Sequence, residues 1–146
     1  ADAKKAGILV HGCFMAGLPG DTRETMEETL RLAKRLNPDT AQFFPLMTYP
    51  GTTAYDWFVE SRLLEAKSYS DWLTEEGLHN CVVRTKDLTP REIVEFCDRA
   101  RREFYLRPAY MAYKLRQMFS HPEEIPRTAK AARTFVKYLF RGSFKE

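Results

Sequence analysis

The stretch Gly7-Ile-Leu-Val-His-Gly-Cys-Phe-Met-Ala-Gly-Leu-Pro-Gly-Asp-Thr22 joins a short apolar run to a cluster of turn residues. Residues 8–16 have the length and apolar character of a strand buried in a sheet. Residues 17–22 predict a tight turn, because glycine, proline and aspartate favour turn conformations. Asp21 is followed three residues later by Glu24, and this spacing predicts a capping box at the start of a helix.

A second unit of the same kind follows the first along the chain. The apolar residues of the intervening segment recur at helical spacing, at Met26, Leu30 and Ala33. They predict a helix that runs to about residue 36 and is ended by Asn37-Pro38. Residues 40–46 then predict a second strand, residues 49–52 a second turn and residues 53–64 a second helix. A repeated strand–loop–helix unit implies parallel strands with right-handed crossovers.

The second half of the chain is predicted to be mainly helical. Residues 65–88 are irregular, with one candidate strand at 81–83. Thr89, Pro90 and Glu92 together predict the start of a helix, as cap, first position and third position. The buried stripe of this helix is predicted to consist of Ile93, Cys97, Ala100 and Phe104. Further helices are predicted from Pro108 to about residue 119 and from Pro122 to about residue 140.

Composition restricts the class of protein. The chain has 146 residues, 44% hydrophobic and 29% charged, which excludes bulk disorder, collagen, coiled coil and a disulfide scaffold. The cysteines Cys13, Cys81 and Cys97 lack the CxxC spacing of a structural zinc site and predict a reducing, cytoplasmic location. We find no signal peptide or apolar run of transmembrane length. Residues 1–7 resemble the last turn of a helix, and a start of this kind without methionine indicates a piece of a longer protein.

The positive charge is concentrated in the second half. Residues 1–82 contain 8 Lys and Arg against 12 Asp and Glu, whereas residues 83–146 contain 15 against 8. In residues 105–145 the basic side chains alternate with aromatic ones, a mixture that suits a nucleic-acid or anionic-membrane surface. The alternative, which we favour, is an amphipathic helical layer with its aromatic side chains on the core and its basic side chains in solvent.

The two glycine-containing turns indicate where a ligand would bind. Both follow predicted parallel strands, so they lie at the carboxyl edge of the sheet, where α/β proteins bind ligands. The turn at residues 17–22 could offer free backbone N–H groups to an anion or a polar cofactor, or it could be a turn with no ligand. His11 and Cys13 share one face of the first strand. A hydrogen-bonded histidine is the favoured interpretation there, and a metal or catalytic pair is the alternative.

Residues 7–25 resemble the later half of radical S-adenosylmethionine (radical SAM) enzymes, and so do several pieces that follow in order: Thr29-Leu30, Leu36-Asn-Pro-Asp39, Gln42-Phe43, Tyr49-Pro-Gly-Thr52 and Tyr55. The resemblance is greatest to the group with an N-terminal cobalamin-binding domain. It implies an α/β fold, namely the last two βα units of a partial (β/α)6 TIM-like barrel. That barrel fragment would occupy residues 1–64, followed by a connection at 65–88 and a helical C-terminal extension at 89–146.

The resemblance also implies which residues contact the cofactor. The segment facing S-adenosylmethionine would contain Gly12, Phe14, Met15, Ala16 and Gly17, and the residues closing over adenine would be Leu46 and Met47. In the parent enzyme a [4Fe-4S] cluster would deliver the electron that cleaves S-adenosylmethionine to a 5′-deoxyadenosyl radical, which acts on a small-molecule substrate. Cobalamin is a candidate further cofactor, for methyl transfer or for rearrangement.

One departure from the family limits what this chain can do. The cluster needs three cysteines at CxxxCxxC spacing, and the three cysteines here do not have it. We therefore expect the cluster loop upstream of residue 1, no catalytic or metal-binding residue in this chain, and no activity or bound cofactor in the chain alone. A phosphate-binding α/β domain that uses residues 17–22 and a non-enzymatic basic helical module remain the alternatives.

The expected partner is the remainder of the parent chain. If residues 8–16 are the family's fifth strand, the neighbouring fourth strand is missing and one edge is unpaired. Such an edge is a template for another chain, so the chain alone is predicted to form a dimer or a higher oligomer. The alternative is a monomer in which the helical tail covers the edge.

Overall fold

Two parallel strands, β1 (His11–Ala16) and β2 (Thr40–Pro45), form the sheet. The computed structural model describes residues 2–73 and 80–120, together with residues 126, 129, 130 and 133. The helices are α1 (Asp2–Lys5), α2 (Arg23–Leu36), α3 (Thr53–Glu60), a 3-10 helix (Tyr69–Trp72), α4 (Pro90–Tyr105) and α5 (Pro108–Ser120). The α/β class and the parallel pair agree with the sequence.

The register of the sheet pairs His11 with Thr40 and continues to Ala16 beside Pro45. β1 starts three residues later than predicted, and Ile8 and Leu9 before it are exposed. β2 ends one residue earlier than predicted, although the N–H of Leu46 still donates to the carbonyl of Ala16 at 2.7 Å. The two strands therefore end side by side, and the two loops that follow them start at the same edge.

The N-terminus of α2 differs from the prediction. Thr22, not Asp21, is the N-cap, and Thr25, not Glu24, completes the capping box. The carboxylate of Asp21 turns back instead and accepts hydrogen bonds from the N–H groups of Gly17 and Leu18 at 2.8 and 2.9 Å. Asp21 and Thr22 are adjacent, and either side chain could cap the helix. Because the Asp21 carboxylate bonds to the turn before the helix, Thr22 is the N-cap.

The hydrophobic core lies between one face of the sheet and helices α2 and α4. Phe43 of β2 is 1% exposed and stacks on Phe14 of β1, with a ring-centroid distance of 5.2 Å. All the side chains predicted to form the buried stripes are buried: Met26, Leu30 and Ala33 of α2, and Ile93, Cys97, Ala100 and Phe104 of α4. The predicted cap of α4, with Thr89, Pro90 and Glu92, is confirmed.

Side chains of α4 also cover the edge of β2 that does not face β1. The Tyr105 hydroxyl donates to the carbonyl of Ala41 at 2.7 Å and accepts from the N–H of the same residue at 2.8 Å. The guanidinium of Arg101 donates to the carbonyl of Phe43 at 3.2 Å. Within the described ranges β1 has no second neighbour, so one edge of the sheet is covered and the other is not.

Helix α5 is fixed at the amino ends of the strands by the buried carboxylate of Asp39. Tyr113 donates to this carboxylate, Tyr110 donates to the Asp39 carbonyl at 2.8 Å, and the N–H of Val10 donates to the carboxylate at 2.8 Å. Burial opposes ionisation, but these hydrogen bonds to the carboxylate and two nearby lysines outweigh it and hold the pKa of Asp39 below its usual value.

The remaining elements agree in part with the sequence. α3 ends at Glu60, four residues before the predicted end, and the candidate strand at 81–83 is only an isolated antiparallel bridge between Leu64 and Val83. Of the predicted helix over 122–140, residues 126, 129, 130 and 133 are described and are helical; the rest lies outside the described residues. Over the residues that the structure describes, no helix is long and apolar enough to cross a membrane.

We predict that Tyr105→Phe destabilises the protein by about 1–3 kcal/mol, because the N–H and carbonyl of Ala41 lose their shared partner. Tyr69→Phe is the matched control, since Tyr69 is 80% exposed and should change the free energy of unfolding by less than about 0.5 kcal/mol. Urea denaturation measures both. Equal stabilities of the two variants would show that the Tyr105 hydroxyl does not protect the edge.

Candidate functional site

The two faces of β1 differ in what covers them. Gly12, Phe14 and Ala16 face the helices, and a β-carbon on Gly12 would lie 2.8 Å from the Phe14 ring. Gly12 is therefore required by packing on the covered side. His11, Cys13 and Met15 face the other way and are exposed. The family resemblance implied that Gly12, Phe14, Met15 and Ala16 of β1 contact the cofactor. Of these four residues, only Met15 has its side chain on the uncovered side.

β2 continues the same two faces. Ala41 and Phe43 are buried against the helices, whereas Gln42 is exposed and Thr40 and Phe44 are half-buried. We call the uncovered side the open face, and its residues are His11, Cys13, Met15, Thr40, Gln42 and Phe44. The register places them in three cross-strand pairs: His11 with Thr40, Cys13 with Gln42 and Met15 with Phe44.

A hydrogen bond orders the amino end of the open face. His11 Nδ1 lies 2.7 Å from Thr40 Oγ1, so His11 is hydrogen-bonded as expected. It lies on the exposed side of the sheet and not in the core. The bond fixes the imidazole at Nδ1 and leaves Nε2 for another partner.

The first glycine turn is built around Gly17, which is buried and has φ +87°. A β-carbon here would lie 3.0 Å from Cδ1 of Ile93 in α4. The N–H groups of Gly17 and Leu18, which the sequence offered to an anion, already donate to Asp21. A carboxylate at that position repels a phosphate, which argues against an independent phosphate-binding turn.

The second turn follows β2. Leu46 is buried in the core, and Met47 is half-buried beside it. Thr48 is 1% exposed, its carbonyl accepts a hydrogen bond from Trp72 Nε1 at 2.7 Å, and its hydroxyl has no partner in the described part of the chain. Of the two residues implied to close over adenine, Met47 is therefore the accessible one.

The cysteines do not form a cluster site. Cys13 is exposed on the open face, whereas Cys81 and Cys97 are buried. Burial raises the pKa of the Cys81 thiol to about 11 and that of Cys97 to about 12, so both hold their protons at neutral pH. No group of three potential ligands suited to a metal ion occurs among the described residues. These residues do not fit a [4Fe-4S] cluster.

The sequence identified part of the open face. His11 and Cys13 follow from the period of two along a strand. Thr40, Gln42 and Phe44 were missed as site residues, because the covered face of β2 is known only once the packing of α4 is known. The signal available was the alternation of Thr40, Gln42 and Phe44 with Ala41 and Phe43.

Gly17 and Gly20 provide a matched test of the first turn, since their φ values are +87° and +86°. Alanine is strained at both positions and should cost about 1 kcal/mol. Only at Gly17 does the new methyl group meet Ile93, so Gly17→Ala should cost roughly 1–3 kcal/mol more by overpacking. Thermal unfolding of both variants checks this, and equal losses would contradict the contact with α4.

Comparison with known proteins gives relatives but no matching protein-family model. The chain is 33% identical over 119 residues to an uncharacterized methyltransferase of Pyrococcus horikoshii, covering 82% of this chain and 24% of that protein. It is 27% identical over 113 residues to the anaerobic magnesium-protoporphyrin IX monomethyl ester cyclase of Cereibacter sphaeroides, covering 77% and 18%. It is 31% identical over 80 residues to the tRNA-2-methylthio-N(6)-dimethylallyladenosine synthase of Pectobacterium atrosepticum, covering 55% and 17%.

The chain thus spans 24% or less of the length of these three relatives. The first two matches cover 82% and 77% of this chain. On this evidence the chain belongs with the radical SAM enzymes.

Proposed function

We propose that the complete protein is a radical SAM enzyme and that this chain forms one wall of the cavity in which S-adenosylmethionine meets a small-molecule substrate. The observation that carries the proposal is the parallel strand pair, which ends at two adjacent turns and which the helices within residues 2–73 and 80–120 cover on one face only. The [4Fe-4S] cluster is bound by another part of the protein, since the described residues do not fit it.

The composition of the open face supports a cavity wall. Parallel sheets are normally apolar and covered on both faces, and the helix-covered face here follows that rule. The open face instead combines imidazole, thiol, amide and hydroxyl groups with Met15 and Phe44. A face of mixed polarity suits contact with a ligand better than contact with a second layer of core.

The residues of this chain bind and orient S-adenosylmethionine and carry out no redox step. Met15, at the carboxyl end of the open face, offers an apolar surface to the adenine ring. Gly17 and Met47 bound this surface at the two turns. Gly12, Phe14, Ala16 and Leu46 act from the covered side by fixing the positions of the strands.

The reaction class follows the relatives only in outline. One is described as a methyltransferase, one as a cyclase and one as a methylthio-adenosine synthase. We propose radical chemistry started from S-adenosylmethionine, of the oxidoreductase or methyltransferase type. Cobalamin is a candidate further cofactor outside this chain.

Met15→Glu in the complete protein tests the wall. A buried carboxylate against adenine should weaken S-adenosylmethionine binding by about tenfold or more. Met111→Glu is the control, because Met111 is 53% exposed on α5, which packs at the amino ends of the strands and not at the turns, and Met15 is 37% exposed. Anaerobic equilibrium dialysis with labelled S-adenosylmethionine gives both affinities. Unchanged binding by Met15→Glu would contradict the proposal.

The uncovered edge of β1 is the proposed site of association. In the complete protein a strand of the remaining chain pairs there, and in this chain alone a second copy does. Cys13→Pro removes an N–H on this edge while keeping the bonds to β2, because alternate residues face alternate edges. We expect the 146-residue chain to be dimeric or larger by light scattering and Cys13→Pro to shift it towards monomer. A wild-type monomer across micromolar concentrations would refute the idea.

A further inference from the structure

We propose that the open face selects an amphipathic substrate with an uncharged, oxygen-bearing head group, which hydrogen-bonds to His11 and Gln42. The apolar part of the substrate lies along Phe44, next to the adenine ring that Met15 contacts. This inference rests on the proposed function and adds the substrate class and its direction in the cavity.

The cross-strand pairs form a gradient of polarity. At the amino end His11 pairs with Thr40, in the middle Cys13 pairs with Gln42, and at the carboxyl end Met15 pairs with Phe44. From the first pair to the last, a strand rises about 13 Å at ~3.3 Å per residue. A ligand that lies along the face therefore meets hydrogen-bonding groups at one end and only apolar groups at the other.

The polar end has unused hydrogen-bonding capacity. His11 is held through Nδ1 by Thr40 at 2.7 Å, which leaves Nε2 for a ligand. The Gln42 side chain is exposed, and no hydrogen bond to it occurs within residues 2–73 and 80–120. If a purely apolar layer covered this amide, the amide would lose its hydrogen bonds to water and form none in their place. A ligand that covers Gln42 must therefore offer it a polar partner.

The charges on the face restrict the head group. None of its six residues is Lys, Arg, Asp or Glu. A phosphate brought here would be desolvated with no Lys or Arg of this face to pair with, whereas a hydroxyl, carbonyl or amide needs only hydrogen bonds. The open face therefore favours an uncharged oxygen group over a phosphorylated one.

The proposed orientation of the substrate along the strands places its apolar part at the carboxyl edge of the sheet, where the reaction is expected. The polar head lies towards the amino ends of the strands, and the apolar body extends to the carboxyl edge, where the two turns meet. Ligands of α/β proteins react at this edge. The arrangement presents an apolar carbon, and not the head group, to the proposed cofactor beside Gly17 and Met47.

The test uses the complete protein with 1-octanol as the amphipathic probe and octyl phosphate as the charged counterpart. Iodoacetamide alkylates the exposed Cys13, while the buried Cys81 and Cys97 serve as internal controls in peptide mass spectrometry. We expect saturating 1-octanol to slow alkylation of Cys13 at least about fivefold and octyl phosphate to have no effect. Equilibrium dialysis with labelled 1-octanol measures the same binding without depending on the thiol.

Variants assign the binding to the named residues. Gln42→Leu and His11→Leu should each weaken 1-octanol binding about tenfold, because each loses one hydrogen bond in a desolvated site. Gln117→Leu, on α5, is the matched control for the same chemical change and should bind normally. Circular dichroism verifies that all three variants are folded.

The outcomes separate this inference from the proposed function. If labelled S-adenosylmethionine binds but 1-octanol does not, or if octyl phosphate binds as well as 1-octanol, the substrate class is wrong and the cavity wall stands. Unchanged 1-octanol binding by Gln42→Leu and His11→Leu overturns the assigned residues. Loss of S-adenosylmethionine binding in the unmodified protein would count against the proposed function itself.

Discussion

The pairing of β1 with β2 is the contact on which the rest of the structure depends, and two parallel strands are not stable without cover. Phe43 supplies the centre of that cover. It stacks on Phe14 of the neighbouring strand and contacts Phe104 of α4 at a centroid distance of 6.0 Å. The sheet, its crossover helix and the first long helix of the second half therefore share one core, and the open face is what this core leaves uncovered.

α4 has two separate functions in that core. Its apolar stripe packs on the face of the sheet, and Tyr105 and Arg101 at its C-terminal end satisfy the backbone at the edge of β2. On the solvent side, Arg99 bridges to Glu27 of α2 and to Glu103 on its own helix. Because these ion pairs are substantially exposed, they add little stability and chiefly orient one helix against the other.

The sequence predicted the elements better than the contacts between them. The helical spacing of the apolar residues in α2 and α4 identified their buried sides, since that pattern is local. The N-cap predicted for α2 was wrong, because the Asp21 carboxylate bonds to the preceding turn and Thr22 caps the helix. Both residue types are good caps, so the sequence does not reveal which of the two is used. Gln42 was not recognised as a site residue, since the exposed side of β2 depends on a helix that begins 48 positions later in the chain.

The distance in sequence between Tyr105 and Ala41 has a consequence for the newly made protein. The backbone of β2 cannot receive its hydroxyl partner until α4 has been synthesised, 64 residues later. At ~5–20 residues per second, this delay lasts roughly 3–13 s during translation. Throughout that interval the edge of β2 that Tyr105 will cover is open, and neighbouring nascent chains on one messenger RNA could join through it. The order of the elements therefore leaves the edge of β2 open to such contacts until Tyr105 and Arg101 have been made.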